Sequence, residues 1–175
     1  PLDGRRTTIE VVSARVRPHV DVLVVVVGHV AGQVAAVLAD HDVELTVNEH
    51  VDRGMLSSVQ CGLRVCGPEW RGYLVCLGDQ PSLSDVVVDT VLAAAAASGR
   101  GIVIPTFSGR RGHPVYLSGK YYGEIMGLGS DQGLNVVTRS HEDDTLEVPV
   151  PESAILDDMD TPADYARERI RIDLS

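Results

Sequence analysis

Two aspartates stand in the same local setting far apart in this sequence. Asp79 lies in Leu77-Gly78-Asp79-Gln80-Pro81, and Asp160 in Met159-Asp160-Thr161-Pro162. Each is followed two positions later by a proline, and each comes after an apolar stretch. The run Leu74-Val75-Cys76-Leu77 before Asp79 suits a strand buried on both faces. Pro81 cannot donate to a ladder, so Asp79 is placed just past the carboxyl end of that strand. Open α/β sheets bind ligands along that edge. A pair of carboxylates there can hold Mg²⁺ against the phosphates of a nucleotide, where the metal neutralises developing charge and aligns the attacking and leaving oxygens. The competing reading makes Asp79 a helix cap and Asp160 an unrelated acidic turn. Spacing alone leaves both open.

Two further stretches bear on the choice. Gly54, Met55, Ser57 and Ser58 sit where a loop turns into a helix, and a helix N-terminus offers N–H groups to an anionic ligand. Plain serine capping is the alternative there. Arg110-Arg111-Gly112-His113-Pro114 is a basic, glycine-containing loop that can approach an anion closely, or it is a solvated hairpin turn. His113 alone is equally a loop histidine bonded to backbone. No Ser-His-Asp or Cys-His arrangement stands out, and nucleotidyl transfer needs no protein nucleophile.

The elements that must position these residues read as alternating strands and helices. Thr7 or Thr8 caps a helix from about Ile9 to Val16. Asp21–Val27 is a β-branched run, Val30–Ala39 a covering helix and Val43–Val47 the next strand, together a βαβ unit. A helix starts near Ser57. Tyr73–Leu77 is the Asp79 strand, and Ser82 or Ser84 caps a helix ending at Ser98-Gly99. Strands follow at Ile102–Pro105 and Val115–Leu117, then helical turns over Lys120–Met126, a helix near Leu134–Arg139 and a strand at Thr145–Val150. Pro162 opens a last helix to about Ile170.

With 175 residues and 44% hydrophobic content, the chain makes one globular domain with a real core. A net charge of −10 argues against binding to nucleic acid or anionic membranes. No apolar run reaches membrane-span length, no signal peptide is visible, and a cytoplasmic location is expected. Cys61, Cys66 and Cys76 lack a CxxC spacing and read as free thiols. Gly28-His29-Val30-Ala31-Gly32 lacks the dinucleotide glycine pattern, which argues against a dehydrogenase.

The segments NEHVDRGMLSSVQCGL, LGDQPSLS, RRGHPVYL, GSDQGLNVV and LDDMDTPADY occur in this order. Together they resemble the MobA/MocA-like nucleotidyltransferases, most of all the molybdenum cofactor cytidylyltransferase branch, from about Leu2 to Tyr165. The resemblance implies a Rossmann-like, three-layer αβα fold with a mostly parallel sheet. It implies Mg²⁺-dependent transfer of CMP from CTP to molybdenum cofactor (molybdopterin), with pyrophosphate released and a molybdenum hydroxylase as client of the product. Asp79 and Asp160 then resemble the catalytic metal ligands. Gly54, Met55, Ser57 and Ser58 match the segment facing base and ribose. Arg111, Gly112, His113, Pro114, Asp131 and Gly133 match the acceptor pocket. Ser130 replaces the usual glycine before Asp131, and Asn135 stands where arginine is common. A related transferase using GTP or another phosphorylated acceptor, and a cofactor-binding maturation factor without turnover, are the alternatives.

The family's opening strand and its glycine-rich triphosphate loop have no counterpart in this sequence. Pro1-Leu2-Asp3-Gly4-Arg5 resembles the segment just after that loop. Because that strand is central in the sheet, its absence would leave two mid-sheet strands with unpaired edges. A longer biological chain is therefore expected, with these 175 residues alone inactive or nearly so.

Overall fold

A computed structural model describes residues 6–157. The chain folds into helices on both faces of sheet structure. The first helix, α1 (Thr8–Val16), starts where the sequence placed it. Thr7 and Glu10 form a capping box, with the Thr7 N–H donating to Glu10 Oε2 at 2.6 Å. A short 3₁₀ turn over Arg17–His19 leads into β1 (Val24–Val27), then α2 (Ala31–Val37) and β2 (Glu44–Val47). β1 and β2 pair in parallel, giving the expected βαβ unit.

α3 (Met55–Cys66) precedes β3 (Gly72–Val75), and α4 (Asp85–Ser98) follows it. Ser84 caps α4 by accepting from the Val87 N–H, and Gly99 ends it in the left-handed conformation at φ 68°. The remaining elements are β4 (Ile102–Phe107), β5 (Arg110–Arg111), β6 (Val115–Ser118), α5 (Tyr122–Gly127), α6 (Asn135–Ser140) and β7 (Thr145–Pro149).

The sheet is mixed. β6 runs antiparallel to both β3 and β4, β5 is a short antiparallel return on β4, and β7 pairs with β4 in parallel. The reversal follows from the loop after β5: the chain turns back through Arg111–Pro114 and enters β6 at the end of the sheet where β3 stops, so Val115 lies opposite Val75. Pro105, inside β4, falls where the strand passes from β6 to β5. A missing donor costs no ladder bond there, and the Pro105 carbonyl accepts from the Gly112 N–H at 2.9 Å.

β4 is the strand buried on both faces, with Ile102 through Thr106 all buried. On one face Leu56 and Leu63 of α3, Ile125 of α5 and Val137 of α6 pack against Tyr73, Ile104 and Leu117. On the other, Val12 and Val16 of α1 meet Val87 and Val88 of α4, with Leu83, Val150 and Ile155. Full burial of each such side chain contributes about 1.5–3 kcal/mol. β1 alternates: Val25 and Val27 are buried, while Val24 and Val26 are only partly covered. β2 is an exposed edge strand. Among the described residues β1 and β2 form a sheet of their own, with no ladder joining β1 to β3. No helix among the described residues is long and apolar enough to cross a membrane.

Candidate active site

Of the residues singled out by sequence, Gly54, Met55, Ser57 and Ser58 follow β2, Asp79 follows β3, and Gly112, His113 and Pro114 precede the reversed β6. Asp79 occupies the turn after β3, two residues before Pro81, and is partly exposed. The helix that follows is capped by Ser84, so Asp79 is not the capping residue of α4. Asp160, with Met159 and the last expected helix, lies outside the described residues.

Gly54 forms the entry to α3. Its φ of 83° and ψ of −178° suit glycine and would strain any residue with a Cβ. The helix begins at Met55, two residues before the expected start, and the Met55 side chain is exposed. Ser57 and Ser58 point inward. Their hydroxyls accept from Asn48 Nδ2 at 2.8 and 3.0 Å, and Asn48 Oδ1 accepts from the His50 N–H at 2.9 Å. Ser57 Oγ also lies within hydrogen-bond reach of the His50 and Gly54 carbonyls, at 2.9 and 2.8 Å. Asn48 is buried at the carboxyl end of β2, and it holds the loop and the first turn of α3 in one geometry. The serines thus shape the helix start through their hydroxyls. Sequence reasoning weighed a ligand-facing role for them against serine capping and gave Asn48 no role, although a polar residue directly after a β-strand and nine positions before a serine pair was a usable signal.

A second knot joins the Asp79 turn to the basic loop. The Ile155 carbonyl accepts from the His113 N–H at 3.1 Å and from Gln80 Nε2 at 3.3 Å. Gln80 is buried directly beside Asp79. Gly112 has no room for a side chain: a Cβ there would stand 2.3 Å from the Ile155 carbonyl oxygen. Ser84 Oγ donates to Glu152 Oε1 at 2.7 Å, a second tie between the start of α4 and the segment after β7. The turn carrying Asp79, the Gly112-His113-Pro114 loop and the segment around Ile155 are therefore tied to one another through the Ile155 carbonyl. The His113-Pro114 peptide is cis.

Arg111 is committed elsewhere. Its guanidinium grips Glu147 of β7, with Nε and the terminal nitrogen each 2.7 Å from Oε1. The pair links β5 and β7. Asp131 is exposed in the turn before α6, with Gly133 two residues on. The end of α5, just before that turn, is held to α3 by Gln60, whose Nε2 donates to the Ile125 and Leu128 carbonyls at 2.9 and 3.1 Å. Gln60 and Gln80 were missed in sequence because an amide's hydrogen-bond partners far along the chain leave no local signal.

The metal question turns on few groups. Among the described residues no three His, Cys, Asp or Glu side chains cluster as a metal centre. Mg²⁺ coordinated through substrate phosphates needs only one or two carboxylates. Asp79 has the donor chemistry and position for one of them.

A family model described as the MobA-like NTP transferase domain matches residues 1–145. Purine catabolism protein PucB of Bacillus subtilis (strain 168) is 30% identical over 123 residues, which cover 69% of this chain and 58% of that protein. The chain thus spans less than two thirds of that relative's length. The crystal structure of Rv0371c from Mycobacterium tuberculosis H37Rv superposes with a TM-score of 0.82 at 26% identity, covering 95% of this chain and 84% of that one. Rv0371c is also known as a complex with manganese. A nucleotidyl transferase from Methanothermobacter thermautotroptrophicus gives a TM-score of 0.81 at 26% identity, covering 100% of this chain and 84% of that one.

Proposed function

Because the chain belongs to the MobA-like NTP transferase family, we propose that it moves a nucleoside monophosphate from an NTP to a phosphorylated small acceptor. An acceptor phosphate oxygen attacks the α-phosphorus, the bond between the α-phosphorus and the bridging oxygen breaks, and pyrophosphate leaves. The observation that carries this reading is the joining of the Asp79 turn and the Gly112-His113-Pro114 loop through the Ile155 carbonyl. That junction supports the reading because it ties the turn of the proposed metal-binding carboxylate to the loop proposed to face the acceptor.

In this reading Asp79 and Asp160 hold Mg²⁺, which when bound neutralises charge developing on the phosphates. The N-terminal turn of α3, set by Gly54 and the Asn48–Ser57–Ser58 bonds, receives base and ribose beside Met55. Gly112, His113 and Pro114, with Asp131 and Gly133 across the site, border the acceptor. Arg111 supports this wall from behind through Glu147. CTP and molybdenum cofactor are the proposed substrates, with a molybdenum hydroxylase as eventual client. The manganese complex of Rv0371c supports a divalent ion in the family's site.

The test is pyrophosphate release from CTP, GTP, ATP and UTP in the presence of molybdopterin cofactor and Mg²⁺ or Mn²⁺, using the full-length protein. CTP should give the largest kcat/KM, and Asp79→Ala should lower it by about 10²-fold or more. Unchanged turnover by Asp79→Ala would remove the metal assignment. A preference for GTP would move the base assignment and leave the transferase standing. Cofactor binding with no pyrophosphate from any nucleotide would establish the maturation-factor alternative.

A further inference from the structure

The last carbonyls of a helix have no partner within it. At the end of α5 a neighbouring helix supplies the donor. Gln60 Nε2, in the second turn of α3, lies 2.9 Å from the Ile125 carbonyl oxygen and 3.1 Å from that of Leu128. Leu56, four residues before Gln60 and on the same face of α3, packs in one core cluster with Ile125 and Leu134. At Leu128 the chain leaves the helix in extended conformation, at φ −65° and ψ 139°. It then turns through Gly129–Gln132. The Gln132 N–H donates to the Gly129 carbonyl at 3.1 Å, and Gln132 Oε1 accepts from the Gly129 N–H at 2.8 Å.

The Leu128 carbonyl and the Gly129 N–H belong to one planar peptide unit. That unit is held at both polar ends, its oxygen by Gln60 from α3 and its N–H by Gln132 from the turn. Asp131 lies close over it: a Cβ on Gly129 would stand 2.9 Å from Asp131 Oδ1. A cap for α5 alone would need only the bond to Ile125. The bond to Leu128 is the one that reaches the turn, because rotating this peptide breaks a bond at each end and moves the backbone that leads to Asp131.

The geometry points to Gln60 and Gln132 as positioning residues that clamp the Leu128–Gly129 peptide from both sides and so set the acceptor-side turn against the nucleotide-side helix. The two sides are named on the function proposed above, on which this assignment rests. Group transfer needs the acceptor oxygen held about 3–3.5 Å from the phosphorus it attacks. Asn48 fixes the first turn of α3. Gln60 carries that reference across to the turn holding Asp131 and Gly133, so neither amide has to touch a substrate.

The experiment uses the full-length protein with Gln60→Met, Gln132→Met, both together, and Gln132→Glu. Met keeps the length of each side chain and removes its polar end. With CTP saturating and molybdopterin cofactor varied, each Met variant should raise the KM for the cofactor by about 2- to 10-fold, the range that one lost hydrogen bond supplies. The KM for CTP should move less than about twofold, a split that general loosening of the fold would not produce. The double variant should be no worse than the weaker single one, since either substitution releases the same peptide. Residue-resolved amide exchange reads the clamp without turnover. The Gly129 amide should exchange about 2- to 10-fold faster in Gln60→Met, although Gln60 bonds the other end of that peptide. In Gln132→Glu, which keeps an accepting oxygen, its exchange should stay at the original rate. Unchanged Gly129 exchange in Gln60→Met would overturn the clamp, and so would multiplying effects in the double variant. Faster exchange with an unchanged cofactor KM in an active enzyme would overturn the positioning role. Absence of turnover in the unsubstituted protein would sink the function proposed above, and the clamp would then stand or fall on Gly129 exchange alone.

Discussion

Replacing Asn48 with alanine tests whether the site depends on a buried amide that was assigned no role from sequence. Asn48 is buried and makes three side-chain hydrogen bonds: two donated to the Ser57 and Ser58 hydroxyls and one accepted from the His50 N–H. Each such bond contributes about 0.5–1.5 kcal/mol net. Ser57 keeps its contacts to the His50 and Gly54 carbonyls, so its loss is at the lower end. The His50 N–H loses its acceptor, which is the costlier change. The sum for Asn48→Ala is about 2–3 kcal/mol. For a domain of this size that lowers Tm by about 4–12 °C. Ser58→Ala removes one of the three bonds and should cost about 1 kcal/mol. Urea unfolding with a shared m-value measures both. Because the bonds set the first turn of α3, the nucleotide KM of the full-length enzyme should rise about tenfold in Asn48→Ala, with kcat less affected. A loss under about 0.5 kcal/mol together with an unchanged KM would refute the claim that Asn48 organises the helix entrance.

Other outcomes follow from single contacts. Gly112→Ala places a Cβ 2.3 Å from the Ile155 carbonyl oxygen, so the loop must move; a loss of about 2 kcal/mol or more in chemical denaturation is expected, with turnover falling as well. Gln60→Ala frees the carbonyls of Ile125 and Leu128 and should cost about 1–2 kcal/mol, with faster exchange in α5 as the local readout. At the opposite end of β4, burial pushes the Asp144 carboxyl up. Hydrogen bonds from Lys120, Tyr121 and the Gly101 N–H outweigh that and hold it at about 2, below the ordinary 3.8. Its folded value lies below the unfolded one, so this stabilisation is complete above about pH 5 and is lost as pH falls through about 2. Asp144→Asn should flatten that part of the stability–pH curve, and an unchanged acid limb would remove the assignment.

The order of elements was legible because each announces itself locally. Ser84 capped α4 and Gly99 closed it, Thr7 opened α1, and the β-branched run before Gly28 made β1. The Asp79 strand was legible only in part: the apolar run predicts a strand to Leu77 buried on both faces, whereas β3 ends at Val75, four positions before Asp79, with Tyr73 its one buried residue. Strand direction was not local. β6 has the composition of any buried strand, and its reversal depends on the tight return through Gly112 beneath Ile155. The inward aim of Ser57 and Ser58 depended on Asn48 arriving from another strand. The ion pair of Arg111 was not visible in sequence, because Glu147 stands beside it only through the placement of β7. Sequence by itself determined where chain segments become helix, strand or turn, since capping, glycine conformations and hydrophobic period act within a few residues. Tertiary structure alone decided which polar groups are already satisfied and which face a ligand or an empty edge, because hydrogen-bond partners are drawn from wherever the fold brings a donor within about 3 Å of an acceptor.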